Sequence, residues 1–323
     1  MTTAAEVRSG KDHRGENFPV ASMLIAARYR KPILAFYDFV RVADDVADHA
    51  ALPPSEKLKL LDSLEATLLG KSDAEPQGVA LRQQLVERSL SPQHAQDLLN
   101  AFRMDVTKLR YANWDELINY CRYSAMPVGR FVLDVHGEDR ATWEANDALC
   151  GALQIINHVQ DCAADYRNLD RVYLPLDMLG KHGIGVEALQ AHAASPALRA
   201  TFNDICDRLD GMLAKSAVFA GQIKDRGLSL EVSVIQRLAE KLTRVLRAHD
   251  PLSERVHLGK MEVAGVALMG LMQGASRRLG KGNGAAATAS GSSFYAAMRI
   301  LPKAQRQAMY DVYAFCHSPP LAC

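Results

Sequence analysis

Residues 36–48 read FYDFVRVADDVAD, and residues 149–165 read LCGALQIINHVQDCAAD. In the first stretch Tyr37, Arg41, Asp44 and Asp48 recur at i, i+4, i+7 and i+11, which stacks all four along one face of an α-helix. Asp45 sits just beside that row. In the second, Gln154, Asn157, Asp161 and Asp165 recur at i, i+3, i+7 and i+11, again one face. The positions around the rows are apolar: Phe36, Phe39, Val40, Val42, Val46 and Ala47 in one helix, Leu149, Leu153, Ile155, Ile156 and Val159 in the other. The spacing predicts two helices set in the core, each turning a polar row towards something other than hydrocarbon.

Outward from these stretches the same period continues. Through residues 17–280 apolar residues recur at helical spacing, and strand-like alternation is almost absent, so the fold class is all-α. Breaks fall at Leu52-Pro53-Pro54, residues 72–78, Ser91-Pro92, Gly137-Glu138-Asp139, Pro175, residues 180–185 and Pro251. Ser91-Pro92 supplies a capping hydroxyl before a proline at a helix start, and Ser55-Glu56 is expected to open the helix after Pro53-Pro54.

Composition removes several function classes. Of 323 residues, 38 are Lys or Arg and 37 are Asp or Glu, so no net field favours a nucleic acid, and none is expected as partner. The six cysteines form no C-x-x-C pair, and residues 1–17 lack the apolar run of a signal peptide. Reduced thiols and a cytoplasmic location are expected. The most apolar stretch, residues 263–272, is about half the length that spans a bilayer, which leaves peripheral contact with a membrane as the form of association open to a lipid-handling protein. The ten histidines show no zinc spacing, and His158 reads as a hydrogen-bonded helix residue rather than a ligand. Cys121 and Cys162 read as small core residues.

Four carboxylates in apolar helices must be paired or hold cations, because uncompensated buried charge is expensive. One D-x-x-x-D row alone is more often a solvated or salt-bridged face; two rows on apolar helices are not explained that way. Carboxylates one turn apart suit the near-octahedral oxygen shell of Mg²⁺, with Mn²⁺ as a substitute, the shell being completed by waters and phosphate oxygens. A diphosphate held between the helices would supply those oxygens, and the metal would reverse the sign of the site. Arg41 has two readings, an ion-pair residue or a contact to diphosphate. Tyr37 and Tyr120 also have two, packing or stabilisation of positive charge through ring and hydroxyl.

These residues resemble a known family, the squalene and phytoene synthases, across nearly all of residues 16–280. Residues 41–48 are similar to its first aspartate-rich motif. Residues 154–165 followed by Arg171-Val172-Tyr173-Leu174-Pro175 are similar to the second, residues 120–129 to the helix between them, and residues 255–260 to a late basic motif. The resemblance implies a single-domain helical bundle of isoprenoid synthase type enclosing a central apolar cavity, acting on a prenyl diphosphate. It implies metal ligation by Asp44, Asp45, Asp48, Asp161 and Asp165. Catalytic roles fall to Tyr37, Arg41, Tyr120, Gln154 and Asn157, and substrate contacts to Asn17, Arg41, Arg171, Tyr173 and Arg255. Within the family, residues 16–22 and 102–111 are similar to the hopanoid-pathway hydroxysqualene synthases, for which water rather than hydride from NADPH ends the reaction. No NADPH is expected: Gly183-Ile-Gly185 imitates a dinucleotide fingerprint but follows no strand. Squalene, presqualene diphosphate and phytoene synthases are the nearest alternatives, and a non-catalytic prenyl-lipid-binding subunit is a further one.

After Leu279 the chain becomes GKGNGAAATASGSS, with residues 281–292 read as a flexible linker. Residues 1–15 are read as a flexible N-terminus. The tail, 293–323, aligns to residues 17–47 at an offset of 276, pairing Phe18 with Phe294, Ala21 with Ala297, Arg30 with Arg306, Tyr37 with Tyr313 and Phe39 with Phe315. It resembles the opening helix of the sister enzyme that makes presqualene diphosphate, and an association with such an enzyme is implied. Pro320 and Leu321 stand where Asp44 and Asp45 would be, so the tail is expected to carry no metal site. Deleting residues 281–323 should leave turnover intact; loss of soluble folded protein or of activity in the truncated chain would overturn that expectation.

Overall fold

The computed structural model describes Ala4, residues 25–254 and residues 256–258. The N-terminus 5–24, Asn17 within it, Arg255, the linker and the tail lie outside the described residues. Eleven α-helices are described: α1 (Ala27–Asp48), α2 (Pro54–Leu68), α3 (Pro76–Glu87), α4 (Gln93–Thr107), α5 (Trp114–Ser124), α6 (Met126–His136), α7 (Trp143–Leu169), α8 (Leu176–Lys181), α9 (Pro196–Ser216), α10 (Phe219–Gln222) and α11 (Arg226–Ala248). Among the described residues there is no β-strand; Arg110 and Val172 form one isolated parallel bridge. The expectation of an all-α fold holds.

Helix boundaries follow local chemistry. Asn113, Ser195 and Asp225 cap α5, α9 and α11 by accepting from the backbone N–H of Glu116, Leu198 and Leu228. Ser91 Oγ accepts from Gln93 N at 3.2 Å, but α4 opens at Gln93 with Pro92 as its cap, one residue later than the Ser-Pro signal implied. The start of α2 differs from expectation: it opens at Pro54, with Pro53 as its cap and Ser55 already inside the first turn. Proline at the first position loses nothing, because its missing N–H would be unpaired there anyway. The helix expected over residues 120–129 is two helices, α5 and α6, parted at Ala125. Pro127 lacks the N–H that would continue the ladder, and the chain turns before it.

The helices enclose two hydrophobic cores. One gathers α5, α7, α9 and α11 around Leu117, Ile155, Ile156, Phe202 and Leu209. The other gathers α1, α2, α3 and α4 around Phe36, Phe39, Leu61, Leu64, Leu81 and Leu99, joined by Phe131 of α6, whose ring stacks on Phe36 with centroids 3.9 Å apart. Each such buried Leu or Phe contributes about 1.5–3 kcal/mol. Helix α1 belongs to one core and α7 to the other. Ala4 is fully buried in the second core, and its N–H donates to Glu75 Oε2 at 3.0 Å. A surface groove of about 650 Å³ between α1 and α3, bordered by Leu34, Ala35, Asp38 and Pro76, contains none of the row residues.

Glycine allows α6 and α7 to approach. A Cβ on Gly129 would lie 1.9 Å from Asn146 Oδ1 and 2.7 Å from Cys150 Sγ. Asn146 is 1% exposed and donates to Met126 O, so it has little freedom to yield. Gly129→Ala should destabilise the fold by about 1–3 kcal/mol, measured as a lowered denaturation midpoint; an unchanged midpoint would show that α6 and α7 separate freely.

Candidate active site

The carboxylate rows end on either side of a junction made by Arg171. Its backbone N–H donates to Asp165 O at 3.2 Å, while its guanidinium donates to Asp48 Oδ1 at 2.5 Å, to Ala47 O at 3.0 Å and to Asp105 O at 3.0 Å. One residue therefore ties the C-terminal ends of α1, α7 and α4. The chain reaches this position because α7 stops at Asp170, held in the left-handed region at φ 51°, and Val172 N then bonds Leu109 O. Arg171 is 6% exposed; its four donated bonds satisfy it in the interior.

Asp44, Asp48, Gln154, Asn157 and Asp165 are half-buried along their rows and Asp161 is exposed. Tyr37 and Arg41 are half-buried on the α1 row. The Arg41 guanidinium pairs with Asp44 at 2.9 Å and with Asp45 at 2.8 Å. Asp45 is buried, so it lies off the accessible row and serves here as a counter-charge to Arg41. Tyr120 and Tyr173 are both buried, and each donates its hydroxyl to Asp105, at 2.9 and 2.8 Å. His158 stacks on the Tyr173 ring with centroids 3.6 Å apart and meets Gln154 Nε2 through Nε2 at 3.2 Å. Burial pushes its pKa down to about 3, so it is a neutral hydrogen-bonding residue. The structure thus brings together Arg41, the two rows, Tyr120, Arg171 and Tyr173; Asn17 and Arg255 are outside the described residues.

Charge is crowded at the junction. Desolvation first, and then the charge of Asp48, push the Asp44 carboxyl up to about 7. Desolvation, then Asp161, then Asp48 push Asp165 up to about 7. Asp48 thus acts on a carboxylate of each row, which places the rows within electrostatic reach of one another. Asp44 still presents 34% of its side-chain surface, so a ligand can reach it. This surplus of negative charge is the chemistry of a divalent-cation site. Among the described residues no three His, Cys, Asp or Glu side chains converge as a ready cage; Mg²⁺ fits such a site, since it is held by one or two carboxylates with waters and phosphate oxygens filling its shell.

Asp105 is the residue that sequence reasoning passed over. It is 6% exposed and lies on the buried face of α4 with Leu98, Ala101 and Phe102. A lone aspartate at a core position of an amphipathic helix was the available signal. The Gly183-Ile-Gly185 stretch follows α8 and precedes a 3₁₀ turn over Val186–Gln190, not a strand–turn–helix unit. Cys121 and Cys162 are buried and free, and burial pushes both thiols up to about 12.

An all-helical bundle of this kind is the architecture of an isoprenoid synthase, and the squalene/phytoene synthase family profile matches residues 11–262. The chain belongs to the squalene/phytoene synthase family, whose enzymes process prenyl diphosphates. It is 56% identical over 284 residues to a hydroxysqualene synthase of Rhodopseudomonas palustris, covering 87% of this chain and 97% of that one. It is 51% identical, again over 284 residues, to a hydroxysqualene synthase of Sinorhizobium fredii, with the same coverage of both chains. Among solved structures it is similar to squalene synthase HpnC from Alicyclobacillus acidocaldarius, at 27% identity and a TM-score of 0.65 over 76% of this chain and 92% of that one. No helix among the described residues is long and apolar enough to cross a membrane.

A raised carboxylate pKa has a definite sign in stability. The folded value of about 7 lies above the ordinary 3.8, so the ionised groups oppose folding above pH 7, and that opposition is relieved as pH falls from 7 towards 4. In metal-free buffer at pH 8, Asp44→Asn and Asp165→Asn should each raise the thermal midpoint by about 2–6 °C. Both should lose most of the stabilisation that added Mg²⁺ confers on the parent protein. A midpoint unmoved in both variants, with the Mg²⁺ effect retained, would rule out mutual repulsion of the rows.

Proposed function

We propose that this chain is a Mg²⁺-dependent hydroxysqualene synthase, converting presqualene diphosphate and water to hydroxysqualene and diphosphate. The observation that carries the reading is the crowding of carboxylates from both rows around Asp48, next to a buried tyrosine cluster. The names of the relatives that cover almost their whole length with this chain support the substrate.

The residues divide the work. Asp44 and Asp48 on α1, with Asp161 and Asp165 on α7, would hold Mg²⁺, which when bound neutralises the diphosphate and stabilises charge on the departing oxygen. Arg41, already beside Asp44, is placed to exchange part of that ion pair for a phosphate oxygen. Arg171 fixes the spacing of the rows; a contact from it to substrate would come at the expense of its bonds to Asp48 or Asp105. Asn157 and Gln154 lie on the α7 row and orient polar groups of the substrate. Tyr120 and Tyr173 turn ring faces towards their cluster, where a ring quadrupole stabilises positive charge on carbon. The two apolar cores keep bulk water from the cation until the positioned water adds. The polyprenyl substrate is nearly insoluble, so delivery from a membrane surface or directly from a presqualene diphosphate synthase belongs to the same reading.

The test is product identification by mass spectrometry after incubation with Mg²⁺ and either farnesyl diphosphate or presqualene diphosphate, with and without NADPH. Hydroxysqualene from presqualene diphosphate, independent of NADPH, is expected, and Asp161→Asn should lower turnover by about two orders of magnitude or more while preserving the helical circular-dichroism signal. NADPH-dependent squalene would assign the chain to the hydride-quenching branch instead. Absence of diphosphate release from either substrate would favour a lipid-binding role.

A further inference from the structure

We propose that Asp105 is the group that takes up the proton when water quenches the cation, receiving it through the hydroxyl of Tyr120 or Tyr173. The inference rests on the hydroxysqualene-forming reading and adds to it the one participant that reading leaves without a residue.

The geometry is that of a relay. Both Asp105 oxygens are occupied by phenols, Oδ2 by Tyr120 at 2.9 Å and Oδ1 by Tyr173 at 2.8 Å. The nearest guanidinium, Arg171, bonds the Asp105 backbone carbonyl and not its carboxylate. A purely structural tether between α4, α5 and the 170–175 segment would not need a buried charge, which is costly to desolvate. A carboxylate bonded by two phenols, with the Arg171 guanidinium near but hydrogen-bonded to the backbone carbonyl instead, is placed as a base held in reserve. Burial pushes it up to about 6, so it is ionised near neutrality and ready to be protonated. The cluster also borders the rows: the Asp105 charge acts on both Asp44 and Asp165. Beside it the Tyr111 ring lies 5.3 Å from that of Tyr120 and 5.6 Å from that of Tyr173. Tyr111 is 1% exposed and its hydroxyl has no hydrogen-bond partner among the described residues, which makes it a polar group available to a water molecule held in the cluster.

The step balances. A lone pair of water forms the new C–O bond to the cationic carbon, giving a protonated alcohol. One of its protons passes to a tyrosine oxygen as that tyrosine passes its own proton to Asp105. The alcohol and a neutral Asp105 carboxyl result, with no change of oxidation state. In a site closed to bulk water the competing acceptor is the departed diphosphate. An acceptor on the protein makes capture irreversible before the cation loses a C–H proton and becomes a hydrocarbon.

The test compares hydroxysqualene formed with diphosphate released, using presqualene diphosphate and Mg²⁺. Asp105→Asn keeps an acceptor for the phenols but has no useful basicity. A folded D105N protein should give at least a fivefold lower ratio of alcohol to diphosphate, with eliminated hydrocarbons making up the difference. A defect of packing alone would reduce both quantities together and leave the ratio unmoved, and an unmoved ratio would overturn the inference in favour of the diphosphate as acceptor. Should D105N fail to fold, Tyr120→Phe and Tyr173→Phe keep Asp105 with one phenol each; a fall in the ratio in one of them sustains the relay, and a parent-like ratio in both overturns it. If the parent protein forms no hydroxysqualene at all, the functional reading and this inference fall together, whereas a parent that forms it beside an unaltered variant ratio sinks the inference alone.

Discussion

The fold depends on the Arg171 junction. Helix α1 packs in one hydrophobic core and α7 in the other, with α4 and α6 lending residues to both, and a further contact ties the ends of the two carboxylate rows. Arg171 does so by bonding Asp48 and Ala47 at the end of α1, the backbone of Asp105 in α4, and Asp165 O at the end of α7. A planar guanidinium with donors at fixed angles holds several acceptors in one geometry, which an ammonium on a flexible stem does not. Its charge also offsets part of the acidity that it gathers, for it lowers the pKa of both Asp105 and Asp165. Bringing six acidic side chains near one seam without such an ion would oppose folding strongly.

That compensation is incomplete. Arg41 and Arg171 each bond a carboxylate of the rows, yet Asp44 and Asp165 remain pushed up to about 7. A fold selected for stability alone would neutralise these groups or replace them by apolar residues. The remaining negative charge is the feature on which the proposed Mg²⁺ binding rests, and a cation bound there would add stability to the fold. Uncompensated charge at the seam opposes folding, and the apolar contacts of the two cores must offset it.

The rows were legible in the sequence because helical period alone puts i, i+4, i+7 and i+11 on one face. The helix class was legible for the same reason, and most breaks fell at Pro or Gly. The division of residues 120–129 into α5 and α6 was harder, since Pro127 is tolerated in a first helical turn and marks a break only if another helix ends just before it. The link between the ends of α1 and α7 was not readable at all: Arg171 bonds both the Asp48 carboxylate and the Asp165 carbonyl, and no local pattern encodes which helix ends meet. Asp45 shows the same limit. It adjoins Asp44 in sequence, but one residue of helix is a rotation of about 100°, enough to carry it from the accessible row to a buried pairing with Arg41.

Asp105 was hidden for a related reason. Its neighbours in sequence, Arg103 and Lys108, are engaged at the surface with Asp62, Glu65 and Glu116, which makes the end of α4 look like an ordinary solvated turn. Its true partners come from α5 and from the segment after α7, at separations of 15 and 68 residues. The same segment, residues 171–173, delivers Arg171 to the carboxylate rows and Tyr173 to Asp105. In the proposed reaction the leaving-group side and the water side would therefore both be set by one short piece of chain, so a shift of that piece would alter ionisation and quenching together.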